Sequence, residues 1–209
     1  MNILAIECSC NPASLCLCTE EEGICAQAEW NAERNHDAYL FPALQQALDT
    51  LGERPLHTIL VGAGPGSYGG VRVALAAGVG IALVRGAQLV ALDSWAHLSQ
   101  GKLSIISDAR RGGWTLRHPD GRIEVLSTAQ LTAWAEPLAT VEAPGVVAAI
   151  TGVHPQQEGL HPTAEGLAAQ WLHMSAEERA AAAAKAPEPI YVRPPHITDA
   201  QRKPWEIKH

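Results

Sequence analysis

The stretch from Gly62 to Arg85 constrains the fold more than any other part of the chain. GAGPGSYGGVR sets five glycines between an apolar β-type run and an almost uncharged helix. From Val71 to Val84 only Arg72 is charged, so the helix is apolar all the way round and must be covered on two sides. Its own sheet can cover one side; the other needs a second lobe or another chain. Ala74, Gly78 and Ala82 recur every four residues on one face. Gly78 and Gly80 each cost about 1 kcal/mol relative to alanine inside a helix. Two arrangements would offset that cost: close approach of a second helix, or tight packing on the protein's own sheet. The residues alone leave both open.

The glycine loop has its own chemistry to weigh. Backbone N–H groups before a helix, with the helix dipole behind them, can hold a phosphate. The Gly-Lys-Ser/Thr ending of a Walker loop is missing. Gly64, Gly66 and Gly69 do match G-x-G-x-x-G, and Asp93 follows at the end of the next β-type run, as in a dinucleotide-binding unit. Pro65 stiffens that loop and a hairpin precedes it, which counts against wrapping a pyrophosphate. The plain alternative is a set of tight turns with positive φ. Ser67 is expected to cap the helix rather than act as a nucleophile.

The pattern before and after this unit reads as alternating strands and helices. Strands are expected over 3–6, 14–18 and 24–30, a helix over 37–51, a strand over 58–61, the helix over 71–85 and a strand over 88–92. This gives a ββ(β)αβαβ lobe over residues 1–100 with a parallel βαβ unit. A smaller lobe and tail over 101–209 carry weaker signals. Strands are expected over 103–106, 115–118, 122–126 and 146–150, with helices over 127–134, 163–173 and 176–185.

Composition then excludes several classes. The net charge of −7, from 22 acidic and 15 basic residues with no basic run, gives no surface for holding nucleic acid alone. The apolar runs at the start and over Val73–Val84 are shorter than a membrane span. Five cysteines crowd into the first 25 residues, which rules out a disulfide framework and fits a reducing, cytoplasmic setting. Cys8, Cys10, Cys16 and Cys18 form two C-x-C pairs that invite zinc. Core filling by small buried thiols is the expected use.

Catalytic constellations are absent from the sequence. No H-x-x-x-H pair and no nucleophile elbow occurs. Glu7, at the end of the first strand, could hold a magnesium ion for a nucleotide, with Asp108 in SDARRGG at the corresponding end of a later strand. A solvated strand end and an ion pair with Arg110 or Arg111 are the plainer uses.

Four segments resemble one family. ILAIECS resembles an ILaIDTS start, GPGSYGGVR resembles GPGSFTGxR, SDARRGG resembles DARrGEvY, and PIYVRPP resembles a closing P-x-YlR. Together, and in this order, they resemble the TsaB (YeaZ-type) proteins of bacterial threonylcarbamoyladenosine synthesis on tRNA. Glu7 stands where that family has aspartate, Gly69 where it has threonine, and Gly113-Trp114 where it has Glu-Val.

The resemblance implies an α/β, actin/Hsp70/sugar-kinase-like (RNase H-like) two-lobed fold with a reduced second lobe. It implies a catalytically inactive subunit that pairs with a TsaD-like catalytic paralogue carrying the metal-binding histidines, joined by a TsaE-like ATPase. No cofactor is expected on this chain, ATP and metal belonging to the partners, and tRNA is met only through the complex. The pairing surface falls on the first two helices, with His36, Leu40, Leu44, Ala74, Gly78 and Ala82 as its expected residues. A homodimer through the same surface is the expectation for the chain alone. Glu7, Gly64, Gly66, Ser67, Gly69, Gly70 and Arg72 become a vestigial phosphate loop. The alternatives are an independent nucleotide phosphotransferase or hydrolase using the Gly64 loop, and a dinucleotide-binding protein.

Overall fold

The computed structural model describes residues 1–19, 22–31 and 36–192. Its elements run β1 (Asn2–Glu7), β2 (Ala13–Thr19), β3 (Gly23–Trp30), α1 (His36–Leu51), β4 (Thr58–Gly62), α2 (Tyr68–Arg85) and β5 (Gln88–Leu92). Then come β6 (Ser104–Asp108), β7 (Gly113–Arg117), β8 (Ile123–Ser127), α3 (Thr128–Thr132), β9 (Leu138–Thr140), α4 (Val146–Thr151), α5 (Ala164–His173) and α6 (Ala176–Ala183). β3-β2-β1-β4-β5 form one sheet and β8-β7-β6-β9 a second. β2 is antiparallel to β1 and β3, whereas β1, β4 and β5 run parallel.

Alternation along the central strands decides which helix lies on which face. Side chains in a strand point to opposite sides at successive residues. Leu4, Ile6, Leu15, Leu17, Ile59 and Val61 therefore meet α1 and α2, while Ile3, Ala5, Cys16, Cys18, Leu60 and Val90 meet α5. Each fully buried aliphatic side chain contributes about 1.5–3 kcal/mol. Cys8 joins the first cluster and Cys16 and Cys18 the second, so these thiols fill the core as expected. Cys16 and Cys18 share one face of β2 with their sulfurs 3.8 Å apart.

Several boundaries differ from the sequence expectation for physical reasons. α2 begins at Tyr68, because Ser67 adopts an extended conformation and its Oγ accepts from Gly70 N. Gly86 closes the helix in the left-handed region. At 18 residues α2 is long and apolar enough to cross a membrane by length and composition, unlike the shorter run read from sequence. Its place is nonetheless that of the crossover between β4 and β5, with one face on the sheet.

Residues 146–150, expected as a strand, form helix α4. Gly145 and Gly152, both with positive φ, bracket it, and a short apolar run alone does not distinguish helix from strand. β9, pairing parallel with β6, was not anticipated; at three residues it is too short to show alternation.

The division at residue 100 needs a correction. The second sheet lies within 104–140, but α5 and α6 return to the first sheet. Gly166 on α5 admits the His97 ring so closely that a Cβ there would overlap it. Between the sheets, Asp93 after β5 forms an ion pair with Arg117 of β7, both largely buried.

Candidate functional site

Two cavities flank the glycine turn. One, of about 850 Å³, opens between the two sheets and is lined by Ser9, Gly66, Ser67, Asp108, Glu142 and Tyr191, among others. The other, of about 1020 Å³, is a groove between α1 and α2, lined chiefly by apolar residues such as Phe41, Val73, Ala77 and Ile81 together with Gly69 and Gly80. Ser67 borders both.

The glycines serve close packing more than anion binding. Gly64 and Gly66 have φ of 94° and 151°, which side-chain-bearing residues rarely adopt. A Cβ at Gly66 would also run into the Ser9 carbonyl, and one at Gly62 into the Glu7 carboxyl. Five N–H groups of this stretch already have partners. Ala63 N donates to Leu92 O (2.7 Å), Gly64 N to Ser94 Oγ (3.0 Å) and Ser67 N to Ser9 O (2.6 Å). Gly70 N and Val71 N donate to Ser67.

The expected phosphate-loop residues do not converge. Gly66 and Ser67 line the cleft, whereas Gly69 and Gly70 line the helix groove instead. Arg72 turns outward, donating to Tyr68 Oη at 3.1 Å, with its guanidinium carbon 5.1 Å from the ring centroid. Asp93, the residue that would read a ribose, is engaged by Arg117 and accepts from Trp95 N. The dinucleotide reading thus loses Asp93, whereas Asp108, which the phosphotransferase reading invokes, lines the same cleft as Gly66 and Ser67.

Glu7 is fully buried rather than exposed at a strand end. Ser9 N donates to its Oε1 at 2.7 Å, while Oε2 has no hydrogen-bond partner. Burial pushes its carboxyl above the ordinary range and the charge of Asp93 adds to this, against hydrogen bonds from Ser9 and Ser94. The folded state therefore keeps the proton to a higher pH than the unfolded chain does. Stability present below pH 4.5 is lost as pH rises through the folded value. Glu7→Gln removes that loss, so its advantage over the native protein in denaturant midpoint should widen from pH 4.5 to pH 8. An advantage that stays flat with pH would show that Glu7 is ionised in the fold.

The expected pairing residues also need correction. Leu40, Leu44 and Ala74 are buried in the first core, Ala82 packs against it, and Gly78 is buried on the sheet side. A Cβ at Gly78 would stand 2.9 Å from both Leu89 Cδ1 and Val61 Cγ2. The small-residue face thus packs on the protein's own sheet, the other of the two arrangements open from sequence. The His36 side chain lies outside the described residues.

What α2 leaves uncovered is its opposite side. Leu83 and Val84 are 81% and 84% exposed and Val79 is exposed, and Phe41 of α1, which lines the groove with Gly80, is 56% exposed. The signal for this face was Gly80 and the apolar residues around it, on the side of α2 away from Gly78.

Comparison with known proteins places the chain. Residues 27–162, about two thirds of it, match the model of the TsaD family, tRNA N6-adenosine threonylcarbamoyltransferase. The chain belongs to the TsaD family. Membership puts it in tRNA threonylcarbamoyladenosine modification. No curated protein matches it.

Two solved structures from Pseudomonas aeruginosa share its fold. YeaZ is 21% identical with a TM-score of 0.70, covering 91% of this chain and 99% of that one. An uncharacterized protein with similarity to peptidase YeaZ is 22% identical with a TM-score of 0.68, covering 92% and 99%. The two-lobed fold expected from the sequence is therefore the one observed.

A TsaD-type transferase implies a metal, and the residues present do not fit one. Among the described residues no three His, Cys, Asp or Glu side chains come together as a ligand set. His57 accepts from Asn2 N, His118 pairs with Glu124, and His161 lies 3.9 Å from the Cys10 sulfur. Burial holds His97 at a pKa of about 4, and its ring nitrogens have no partner.

Proposed function

We propose that this chain is the non-catalytic pairing subunit of a threonylcarbamoyl transferase complex. It holds a TsaD-like catalytic paralogue through the α1–α2 face; a TsaE-like ATPase joins the pair, and tRNA is met through the assembly. The observation that carries this reading is the uncovered apolar side of α2 with the groove beside it. Exposed apolar side chains clustered on a crossover helix favour an interface with another chain. Among the described residues the histidines do not gather into a ligand set, which favours placing the chemistry on the partner.

Gly80 provides the test. It lines the groove, and nothing stands within 4 Å of a Cβ placed on it. Gly80→Arg should leave the fold as stable or gain about 1 kcal/mol of helix propensity, while a charged side chain blocks the groove. Co-elution with the cognate TsaD-like protein and tRNA modification by the reconstituted mixture should both be lost. Undiminished co-elution would sink the proposal. In the absence of the partner, the same groove should let the native chain self-associate and the variant remain monomeric.

A further inference from the structure

The C-terminal segment ending at the last described residues makes contacts that the pairing reading does not use. Ile190 N donates to Ala63 O at 2.8 Å, just after β4. Ile190 O lies 3.5 Å from where a Cβ on Gly64 would stand. The next residue, Tyr191, brings its ring centroid to 5.2 Å from that of Tyr68, the first residue of α2. Tyr68 is also the residue that Arg72 engages. Pro187 and Pro189 precede this contact, and proline stiffens the backbone while offering no N–H.

The turn from Ala63 to Ser67 is thus gripped at both ends, by a backbone hydrogen bond at its start and an aromatic contact at its finish. Ser67, inside that grip, borders both the interlobe cleft and the α1–α2 groove.

We infer that Pro189–Tyr191 is a strap that fixes the first turn of α2 and, through it, the shape of the groove to which the partner docks. The strap rests on the pairing reading for its consequence but not for its existence. It makes Pro189–Tyr191 a control point on the affinity for the catalytic paralogue. A molecule that pulls Tyr191 away from Tyr68 in the cleft would loosen the groove on the other side of the turn.

The test uses the full chain with Ile190→Pro, which deletes the donor, Tyr191→Ala, which deletes the ring, and Tyr191→Phe, which keeps it. Amide hydrogen exchange at Ser67–Gly70, measured without partner, should rise roughly two- to tenfold in the first two variants, the range expected for losing one hydrogen bond or one aromatic pair. Tyr191→Phe, which keeps the ring contact but gives up the hydroxyl's bond to Tyr68, should raise exchange less than Tyr191→Ala. The dissociation constant for the TsaD-like partner should rise by a similar factor in the same two variants.

Unchanged exchange overturns the strap. Raised exchange with native partner affinity overturns its link to the groove. Global unfolding of Tyr191→Ala, whose ring is half-exposed, would also overturn it, since the contact would then support the whole fold. Failure of the pairing reading itself would appear elsewhere, as intact co-elution of Gly80→Arg.

Discussion

Gly78→Leu is expected to unfold the protein, or to lower its stability by about 3 kcal/mol or more, beyond the usual 1–3 kcal/mol for overpacking. Leucine at this site has nowhere to go. Even its Cβ would press on Leu89 and Val61 at 2.9 Å, and these side chains belong to β4 and β5, the parallel strands that α2 connects. The rest of the side chain could fit only if α2 lifted off the sheet, breaking the apolar cluster that includes Val71, Ala74 and Leu75. Thermal and denaturant unfolding of Gly78→Leu beside Gly80→Arg checks this. Two glycines two residues apart on one helix should respond in opposite ways, one losing the fold and the other only the partner. A stable Gly78→Leu that merely failed to pair would restore the Ala74–Gly78–Ala82 face as the interface.

Gly62→Ala should have the next largest effect. A methyl at this site would collide with the carboxyl of Glu7, which has no solvent to retreat into. We expect a loss of about 3 kcal/mol, the upper end of the usual overpacking range. Shortening the acid by one methylene relieves the collision, so Glu7→Asp in the Gly62→Ala background should recover roughly half of that loss, a coupling expected of side chains in direct contact. Additive losses in the double variant would mean that the carboxyl swings clear when the methyl arrives, and the carboxyl would not then be what requires glycine at this site.

How much of this was legible in the sequence depended on whether a feature is local. The central strands β1, β2 and β4 were readable as short apolar runs, buried on both faces, and the long helices by the three- and four-residue recurrence of apolar residues, as in Leu40, Leu44, Ala47 and Leu51. Ser67 as a cap and the cysteines as core filling were also local inferences. α4 was misread because VVAAI carries β-branched residues, and only its bracketing glycines mark it as helical. β9 has three residues and no pattern to read.

The candidate site was less legible because it depends on facing. The spacing of Ala74, Gly78 and Ala82 reveals a small-residue stripe but not which neighbour it meets; the sheet took that stripe and left Gly80 outward. Glu7 looked available at a strand end. Its burial follows from Gly62 and the Ser9 turn closing over it, which no spacing in the sequence records.

The return of α5 and α6 to the first sheet has a consequence for how this protein is made. Ile3, Ala5, Cys16 and Leu60 remain bare on one face until Leu167 and Trp171 arrive from near the end of the chain. During synthesis the early strands must therefore wait, with an apolar surface open, while more than a hundred further residues emerge; contacts of such sequence separation form slowly. The two sheets are not interchangeable modules. Cutting the chain after the first sheet should give a fragment that aggregates, and nascent chains of that length are natural clients for a chaperone.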